Sequence, residues 1–256
     1  MKEILITNDD GFEANGLLAL AEEIKKIPDT KVIIVAPKEP KSGTSHAITI
    51  TKPLKIKKIT ENFYNIDDAT PADCVLIALD KICKPDLILS GINYGGNLAE
   101  DITYSGTCGA AIEGVLHGIF SVAFSQVYFG DSFSKFGFNL SAKFSRILVE
   151  KILNNPTNLV NRRFLNVNFP PCDEKSFKGF VACEAGFKDF KYGTKENFTP
   201  KNESYLWLDC DSLIFDENKN VDKDLGKILQ NYATITPITT NFTDFSELEK
   251  VKEWLK

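Results

Sequence analysis

The chain has 256 residues, of which 43% are hydrophobic and 25% are charged, as is usual for a soluble globular protein with a sizeable core. Its net charge of -5 gives no reason to expect binding to nucleic acid or to an anionic membrane surface. No apolar run approaches the roughly 20 residues of a membrane-spanning helix, and the N-terminus has no signal-peptide pattern. We therefore expect a cytoplasmic protein.

The cysteines and histidines limit the kind of metal site that the chain can build. None of the six cysteines has CxxC or another zinc-binding spacing, so we expect reduced and mostly buried thiols. Only two histidines are present, His46 and His117, which excludes a mechanism that needs several imidazoles. Hard oxygen ligands are therefore the expectation for any metal ion.

The first 36 residues predict a strand, a helix and a second strand. Residues 2–6 are a short apolar run, residues 17–24 repeat apolar side chains at helical spacing, and residues 31–36 are β-branched and continuously apolar. A continuously apolar strand is typical of a parallel sheet covered on both faces. The order indicates a right-handed βαβ unit.

Two adjacent carboxylates, Asp9 and Asp10, follow the first strand and precede Gly11. This position, between a strand and a helix, is where open α/β sheets place their ligand crevice. Adjacent carboxylates repel each other unless a cation lies between them, and aspartate favours hard ions such as magnesium or manganese. The alternative is a polar turn that happens to hold two acids.

The loop after the second strand, residues 38–46, should leave the same sheet edge and lie beside the acidic pair. Ser42 and Thr44 offer hydroxyl groups, and Gly43 allows the backbone to approach a ligand closely. Lys38 and Lys41 could attract an anion. The alternative is a solvated surface loop.

Further elements follow before the next polar segment. Residues 47–59 alternate apolar and polar side chains around Pro53, and residues 63–66 suggest another strand. Thr70 and Pro71 are expected to begin a helix, as N-cap and first helical residue. Residues 87–90 form the third core strand and run into a glycine-rich segment that contains Asn93 and Asn97. An asparagine can bind a hard cation or donate to a phosphate oxygen, or it can simply serve a tight turn.

The segment Ser105, Gly106 and Thr107 opens a helix over residues 108–116 whose first residues are small. Free N–H groups and the helix dipole favour an anion at such a terminus, whereas simple capping by Ser105 or Thr107 is the alternative. We interpret His117, near the helix end, as a dipole partner or a packed residue and not as a ligand.

The remaining elements complete the predicted fold. We expect a strand over 121–125, a helix over 140–153, a strand over 164–170, strands over 180–184, 187–192, 205–208 and 234–238, a solvated acidic loop over 209–224, and a helix over 245–255. The predicted class is α/β: a doubly wound (Rossmann-like), mostly parallel sheet with a C-terminal antiparallel hairpin extension. We expect a single domain over 1–256, with a core over 1–170 that holds the site, an extension over 171–240 for the hairpin and oligomerisation, and a final helix over 241–256.

Four polar loops thus leave one sheet edge, and together they suggest a metal-assisted phosphate site. Their motifs, Asn-Asp-Asp-Gly, Lys-Ser-Gly-Thr-Ser, Ser-Gly-Ile-Asn-x-Gly-x-Asn and Tyr-Ser-Gly-Thr, resemble in order and spacing the SurE family of metal-dependent nucleoside monophosphate phosphatases. The resemblance extends from residue 1 to about residue 125. Beyond that it is weak, and the family's usual Ala-Pro-Gly is Ala14-Asn15-Gly16 in this chain.

The resemblance implies one divalent ion per subunit, magnesium or manganese, held by Asp9, Asp10, Ser42 and Asn93. It also implies a homodimer or homotetramer with an exchanged C-terminal hairpin. The phosphate-binding and substrate-binding candidates are Asn8, Gly43, Asn97, Ser105, Gly106 and Thr107.

The expected reaction is hydrolysis of nucleoside 5′-monophosphates, with 3′-monophosphates as a further candidate substrate class. Asp9 and Asp10 are the catalytic candidates, as anchors of the cation and as acceptors of a proton from water, although a bound cation weakens a carboxylate as a base. A covalent aspartyl-phosphate enzyme is one alternative, but its usual acid-x-acid spacing is absent around Asp9. A non-catalytic nucleotide or metal sensor on the same fold is the other.

Overall fold

The computed structural model describes residues 1–155, 162–188, 192–210 and 217–256. In these ranges the strands are β1 (Lys2–Thr7), β2 (Thr30–Pro37), β3 (Lys55–Thr60), β4 (Phe63–Asp67), β5 (Leu87–Tyr94), β6 (Ser121–Gln126), β7 (Arg163–Phe169), β8 (Phe180–Ala182), β9 (Tyr192–Phe198), β10 (Ser204–Cys210) and β11 (Ala233–Thr239). The helices are α1 (Asn15–Ile24), α2 (Pro71–Lys81), α3 (Asp101–Tyr104), α4 (Gly106–Leu116), α5 (Ser132–Phe136), α6 (Asn139–Asn154), α7 (Glu217–Asn220), α8 (Asp224–Leu229) and α9 (Phe245–Trp254).

The central sheet has nine strands in the order β3-β4-β2-β1-β5-β6-β7-β11-β8. The pairs from β4 to β7 are parallel, as is β11 with β8, whereas β3 with β4 and β7 with β11 are antiparallel. The strand order reverses direction at β1, which lies between β2 and β5. This reversal places the expected ligand crevice at the carboxyl ends of β1 and β5, where Thr7 pairs with Ser90. The predicted doubly wound, mostly parallel sheet is confirmed.

Both faces of the sheet are buried, because successive side chains of a strand point to opposite faces. Ile4 and Ile6 of β1 pack into the cluster that contains Leu20 of α1 and Leu148 of α6. Leu5, between them, packs into the cluster on the other face, with Val75 of α2. The apolar side chains of these strands therefore pack against helices on both faces of the sheet, and this packing fixes the position of the strand ends.

Several elements differ from the sequence-based expectation. Residues 47–54 form no strand, and only the end of the alternating stretch pairs, as β3 against β4. The strand predicted over 87–90 continues to Tyr94, so Asn93 lies inside β5 and not in a loop after it. The short helices α3, α5, α7 and α8 were not predicted. Among the described residues, no helix has both the length and the apolar character needed to cross a membrane.

The C-terminal part is more divided than expected. Strands β9 and β10 form the predicted antiparallel hairpin as a separate two-stranded sheet. In contrast, β8 and β11 extend the main sheet. Of the strand predicted over 187–192, residues 187 and 188 form no strand, residues 189–191 lie outside the described residues, and residue 192 begins β9. Residues 211–216 of the predicted acidic loop also lie outside the described residues. The expectation of a solvated loop is wrong at the end of that stretch, because Asp224 begins α8 and is fully buried.

The carboxylate of Asp224 can be buried because it accepts hydrogen bonds from main-chain N–H groups in separate parts of the chain. Its Oδ2 accepts from the N–H of Ala99 at 2.9 Å, and its Oδ1 accepts from Gly186 and Leu225, each at 2.7 Å. Burial raises the pKa of this carboxyl, and these N–H groups act against the shift. The carboxylate thus ties the C-terminal region to the loop that follows β5.

Candidate active site

The ends of β1, β2 and β5 and the start of α4 converge on the acidic pair. The carbonyl oxygen of Asp9 accepts from the N–H of Lys41 at 2.6 Å, and Asp10 Oδ2 accepts from the N–H of Tyr94 at 2.8 Å. The hydroxyl of Thr107 donates to Asp9 Oδ1. The expectation that the loops at residues 9–11 and 38–46 are neighbours is therefore confirmed.

Asp9 is the most perturbed carboxyl at this edge of the sheet. Only 3% of the residue is exposed, and burial raises its pKa from the ordinary 3.8 to about 6. The charge of Asp10 adds to the rise, whereas the Thr107 hydroxyl and the N–H groups of Asp9 and Thr107 oppose it. Burial also raises the pKa of Asp10, against the N–H of Tyr94. The pair carries unfavourable charge that a bound cation would relieve.

The start of α4 lies directly against Asp9. A Cβ atom on Gly106 would come within 3.0 Å of the Asp9 Cβ and of the Thr44 Oγ1, so this position favours glycine. Ser105 caps the helix by accepting the N–H of Cys108 at 3.0 Å. Its capping role, which the sequence left as the alternative, is thus observed, while the first-turn N–H groups stay near the acidic pair.

The loop over residues 38–46 is held on both sides. The Thr44 hydroxyl donates to the carbonyl oxygen of Lys41 at 2.8 Å, and the N–H of Ser45 donates to that of Tyr104 at 3.0 Å. Within this fixed loop Ser42 and Gly43 are exposed, and Gly43 has a φ of +73°, which favours glycine. The loop therefore presents one hydroxyl and one accessible stretch of backbone next to Asp9.

Both histidines contact one carboxylate beneath this loop. His46 Nε2 donates to Glu113 Oε2 at 2.6 Å, and His117 Nε2 donates to Glu113 Oε1 at 3.0 Å. The His46 hydrogen bond is the main reason that the pKa of Glu113 is lowered. His117 is also the C-cap residue of α4, which agrees with its interpretation as a residue of the helix end. Glu113 thus anchors the loop of Ser42 to α4.

Asn93 and Asn97 occupy different environments. Asn93 donates Nδ2–H to the carbonyl oxygen of Gly95 at 2.8 Å, which fixes the direction of its side-chain amide. Asn97 is buried, and its Nδ2 donates to Ser125 Oγ at 2.8 Å. Its carbonyl oxygen accepts from Nδ2 of Asn166 at 2.7 Å, and its N–H donates to Oδ1 of Asn168 at 2.8 Å.

Asn166 and Asn168 on β7 therefore belong to the support of the site, a role that sequence reasoning missed. The available signal was a pair of asparagines at alternate positions of an otherwise apolar strand. Such residues on a buried face need partners, and here they fix the loop that carries Asn97.

Asn8 is fully buried, and its Nδ2 donates to the carbonyl oxygen of Gly11 at 2.8 Å. Its side chain therefore stabilises the acidic turn and does not face the solvent. Asn8 Oδ1 and the neighbouring Ser90 Oγ are buried without a hydrogen-bond partner. Polar groups with unused bonding capacity thus lie at the end of β1 and next to it within β5.

The donor set around Asp9 and Asp10 fits a hard cation. In the described part of the chain, no three histidine, cysteine, aspartate or glutamate side chains gather as in a metal cluster. The two carboxylates are accompanied at this sheet edge by neutral oxygens, the Ser42 hydroxyl and the Asn93 side-chain carbonyl. Oxygen ligands of this kind suit magnesium or manganese.

Comparison with known proteins decides the family. The family described as "Survival protein SurE" matches residues 4–192. The chain belongs to the SurE family. A protein of Campylobacter concisus named 5′-nucleotidase SurE is 48% identical over 254 residues, which is 98% of each chain. A protein of Campylobacter hominis with the same name is 46% identical over 258 residues and the full length of both chains.

A solved structure of the family has the same fold. The crystal structure of the SurE protein from Aquifex aeolicus is 34% identical to this chain, with a TM-score of 0.83. The match covers 99% of this chain and 100% of the other. The resemblance inferred from four motifs in the first half of the sequence is therefore confirmed, and the SurE relationship extends through the C-terminal half, where the motifs were weak.

Proposed function

We propose that this SurE-family chain is a 5′-nucleotidase, a phosphoric monoester hydrolase that converts nucleoside monophosphates to nucleoside and phosphate. The observation that carries the proposal is the buried Asp9, with a pKa raised to about 6, beside Asp10 at the start of α4. A raised carboxyl pKa in a crevice at a topological switch point is typical of a functional site. The names of the full-length relatives support the reaction class.

The proposed metal ligands are Asp9, Asp10, Ser42 and Asn93. Asp9 is oriented by the Thr107 hydroxyl and Asp10 by the N–H of Tyr94, so each carboxylate is held by one oxygen. A divalent ion bound there would neutralise phosphoryl oxygens and make a water molecule more acidic. Magnesium and manganese are the proposed ions, one per subunit.

The Thr107 N–H and hydroxyl already hold the Asp9 carboxylate, so the groups proposed to bind phosphate are the main-chain N–H groups of Gly43 and Gly106. They belong to an exposed glycine with positive φ and to the first turn of an 11-residue helix, both suited to an anion. Ser105 positions this turn as its cap, and Asn97 contributes the second hydrogen of its amide nitrogen. Donors fixed before the reaction stabilise charge that develops on phosphoryl oxygens.

The two aspartates serve first to hold the cation and second to accept a proton. Asp9 is buried and already accepts from Thr107, whereas Asp10 is more exposed. A carboxylate beside a cation has a lowered pKa and is a weak base, so we assign the pair chiefly to binding.

We propose that the chain acts as a homodimer or homotetramer in the cytoplasm. The β9–β10 hairpin forms a separate sheet, and it exposes the apolar side chains Leu206, Trp207 and Leu208. Such a cluster favours burial against another subunit. Among the described residues, five cysteines are free thiols, which supports a reducing compartment.

The reaction can be tested by measuring phosphate release from a panel of nucleoside monophosphates with added manganese or magnesium, and again with EDTA. We expect turnover that EDTA abolishes and that excess metal restores. The variant Asp9→Asn should be inactive, whereas Asp80→Asn, at an exposed aspartate of α2, should retain full activity. Metal and nucleotide binding without any turnover would instead favour a sensor and would refute the enzyme.

A further inference from the structure

Tyr94 lies beside the acidic pair, but its side chain has no part in the mechanism proposed above. The residue follows Asn93 directly, and its N–H donates to Asp10 Oδ2 at 2.8 Å. It nevertheless remains 55% exposed. A large exposed ring whose own backbone contacts a proposed metal ligand is placed to meet whatever is attached to the phosphate.

The ring is held in position by other aromatic residues. Its centroid lies 4.7 Å from that of Tyr128 at an interplanar angle of 32°, and 4.7 Å from that of Phe133 at 75°. Phe133 packs in turn on Phe138, at 5.7 Å and 73°, and Phe138 is buried in the core. The ring is thus braced by its neighbours while much of its surface stays open.

We propose that Tyr94 provides the stacking surface for the nucleobase of the substrate. The inference rests on the proposed nucleotidase function and adds a subsite to it. Every nucleobase has a π face, and stacking on an aromatic side chain raises affinity by about tenfold or more. A ring fixed in advance by Tyr128 and Phe133 loses little conformational freedom on binding, which favours this use.

The nucleobase is the favoured occupant of the surface beside the Tyr94 ring because this surface adjoins the proposed phosphate site. Asn93 and Asp10 would hold the cation next to the phosphate, and Tyr94 joins both through its backbone. A group linked to the phosphate through a sugar therefore extends over the neighbouring surface. Any base can stack on an aromatic ring. Tyr94 should therefore favour nucleotides over sugar phosphates but discriminate little between one base and another.

The test compares wild type with Tyr94→Ala, Tyr94→Leu and Tyr94→Phe, using AMP and ribose 5-phosphate with manganese. We expect the ratio of kcat/KM for AMP to that for ribose 5-phosphate to fall about tenfold in the Ala and Leu variants, mainly through KM for AMP. Tyr94→Phe keeps the ring and should stay within about twofold of wild type. The Leu variant retains apolar bulk if the Ala variant folds poorly.

Calorimetric titration of adenosine and of inorganic phosphate, neither of which the enzyme can hydrolyse, into the manganese-loaded proteins tests binding without turnover. Adenosine affinity should fall about tenfold in Tyr94→Leu, with phosphate affinity close to wild type. Equal losses of kcat/KM for AMP and ribose 5-phosphate, or of affinity for adenosine and phosphate, would mean that the ring only positions Asp10 and would overturn the proposal. An unchanged ratio would overturn it too. A wild-type protein that binds AMP through Tyr94 but hydrolyses neither substrate would refute the nucleotidase reaction alone.

Discussion

Asp9→Asn should stabilise the metal-free protein at neutral pH while it abolishes activity. In the folded chain the pKa of Asp9 is raised to about 6 from 3.8, so the folded state binds its proton more tightly than the unfolded state does. The stability that this proton supplies is present at low pH and is lost as the pH rises through about 6. Asparagine does not titrate and escapes this loss.

The size of the effect follows from the pKa difference. A shift of about two units corresponds to about 3 kcal/mol, since one unit equals about 1.4 kcal/mol. Of this, about 2 kcal/mol should be lost between about pH 4.5 and about pH 8, given the two pKa values. The quantity to compare is the difference in unfolding free energy between Asp9→Asn and wild type, because titrating groups remote from Asp9 contribute equally to both.

Urea unfolding in EDTA at both pH values measures this difference. Relative to wild type, Asp9→Asn should gain about 2 kcal/mol on going from the lower to the higher pH. The exposed substitution Asp80→Asn serves as the matched control and should show no such gain. Manganese at about 100 times its dissociation constant should then stabilise wild type by about 2.7 kcal/mol and Asp9→Asn hardly at all.

A pH-independent difference between Asp9→Asn and wild type would contradict the reasoning. It would mean that Asp9 is ionised in the folded protein throughout this range, and that the neighbouring groups offset its burial. A manganese response equal to that of wild type would refute the assignment of Asp9 as a ligand.

Three further substitutions test the supports of the site. Thr107→Val removes a hydrogen bond that lowers the pKa of Asp9, so manganese affinity should fall about tenfold near pH 6 and less near pH 8, measured by calorimetry. Gly106→Ala crowds the Asp9 carboxylate and should lower kcat/KM for AMP by about tenfold or more with little change in Tm. Asp224→Ala leaves three main-chain N–H groups without their acceptor and should cost about 3 kcal/mol in urea unfolding, whereas exposed Asp222→Ala should cost under about 0.5 kcal/mol.

Each of these has a clear contrary result. An equal loss of manganese affinity at both pH values would show that Thr107 does not act through the protonation of Asp9. Full activity of Gly106→Ala would mean that the start of α4 can move away from Asp9 without consequence. A stability cost for Asp224→Ala no larger than for Asp222→Ala would remove the tie between α8 and the loop after β5.

The sequence predicted which loops gather at one edge of the sheet, because local patterns determine where parallel strands end. The apolar run of β1 stops just before Asp9, and β2 ends at Pro37, before Ser42. In contrast, β5 continues beyond the predicted end at Ser90 and includes Asn93. Once the strands are assigned to one parallel sheet, their carboxyl ends must share an edge. The neighbouring positions of these loops therefore follow without knowledge of any long-range contact.

The supports of the site depend on pairings between distant residues, which local patterns do not contain. The hydrogen bond from Thr107 to Asp9 joins residues 98 positions apart, and that from Ala99 to Asp224 joins residues 125 apart. An acidic stretch is predicted to be solvated unless the N–H groups that donate to its carboxylates are known. For this reason the sequence wrongly assigned Asp224 to a solvated loop. Similarly, the alternation of apolar and polar residues over 47–54 indicates only that one side of this segment is apolar. The segment has no neighbouring strand to pair with and forms no strand.

The most direct test of the proposed metal site is the anomalous scattering of manganese in a crystal of the wild-type protein soaked with Mn²⁺. We predict one strong peak per chain, coordinated by oxygens of Asp9, Asp10, Ser42 and Asn93. A chain with no peak, or with its peak away from the carboxyl ends of β1 and β5, would contradict it.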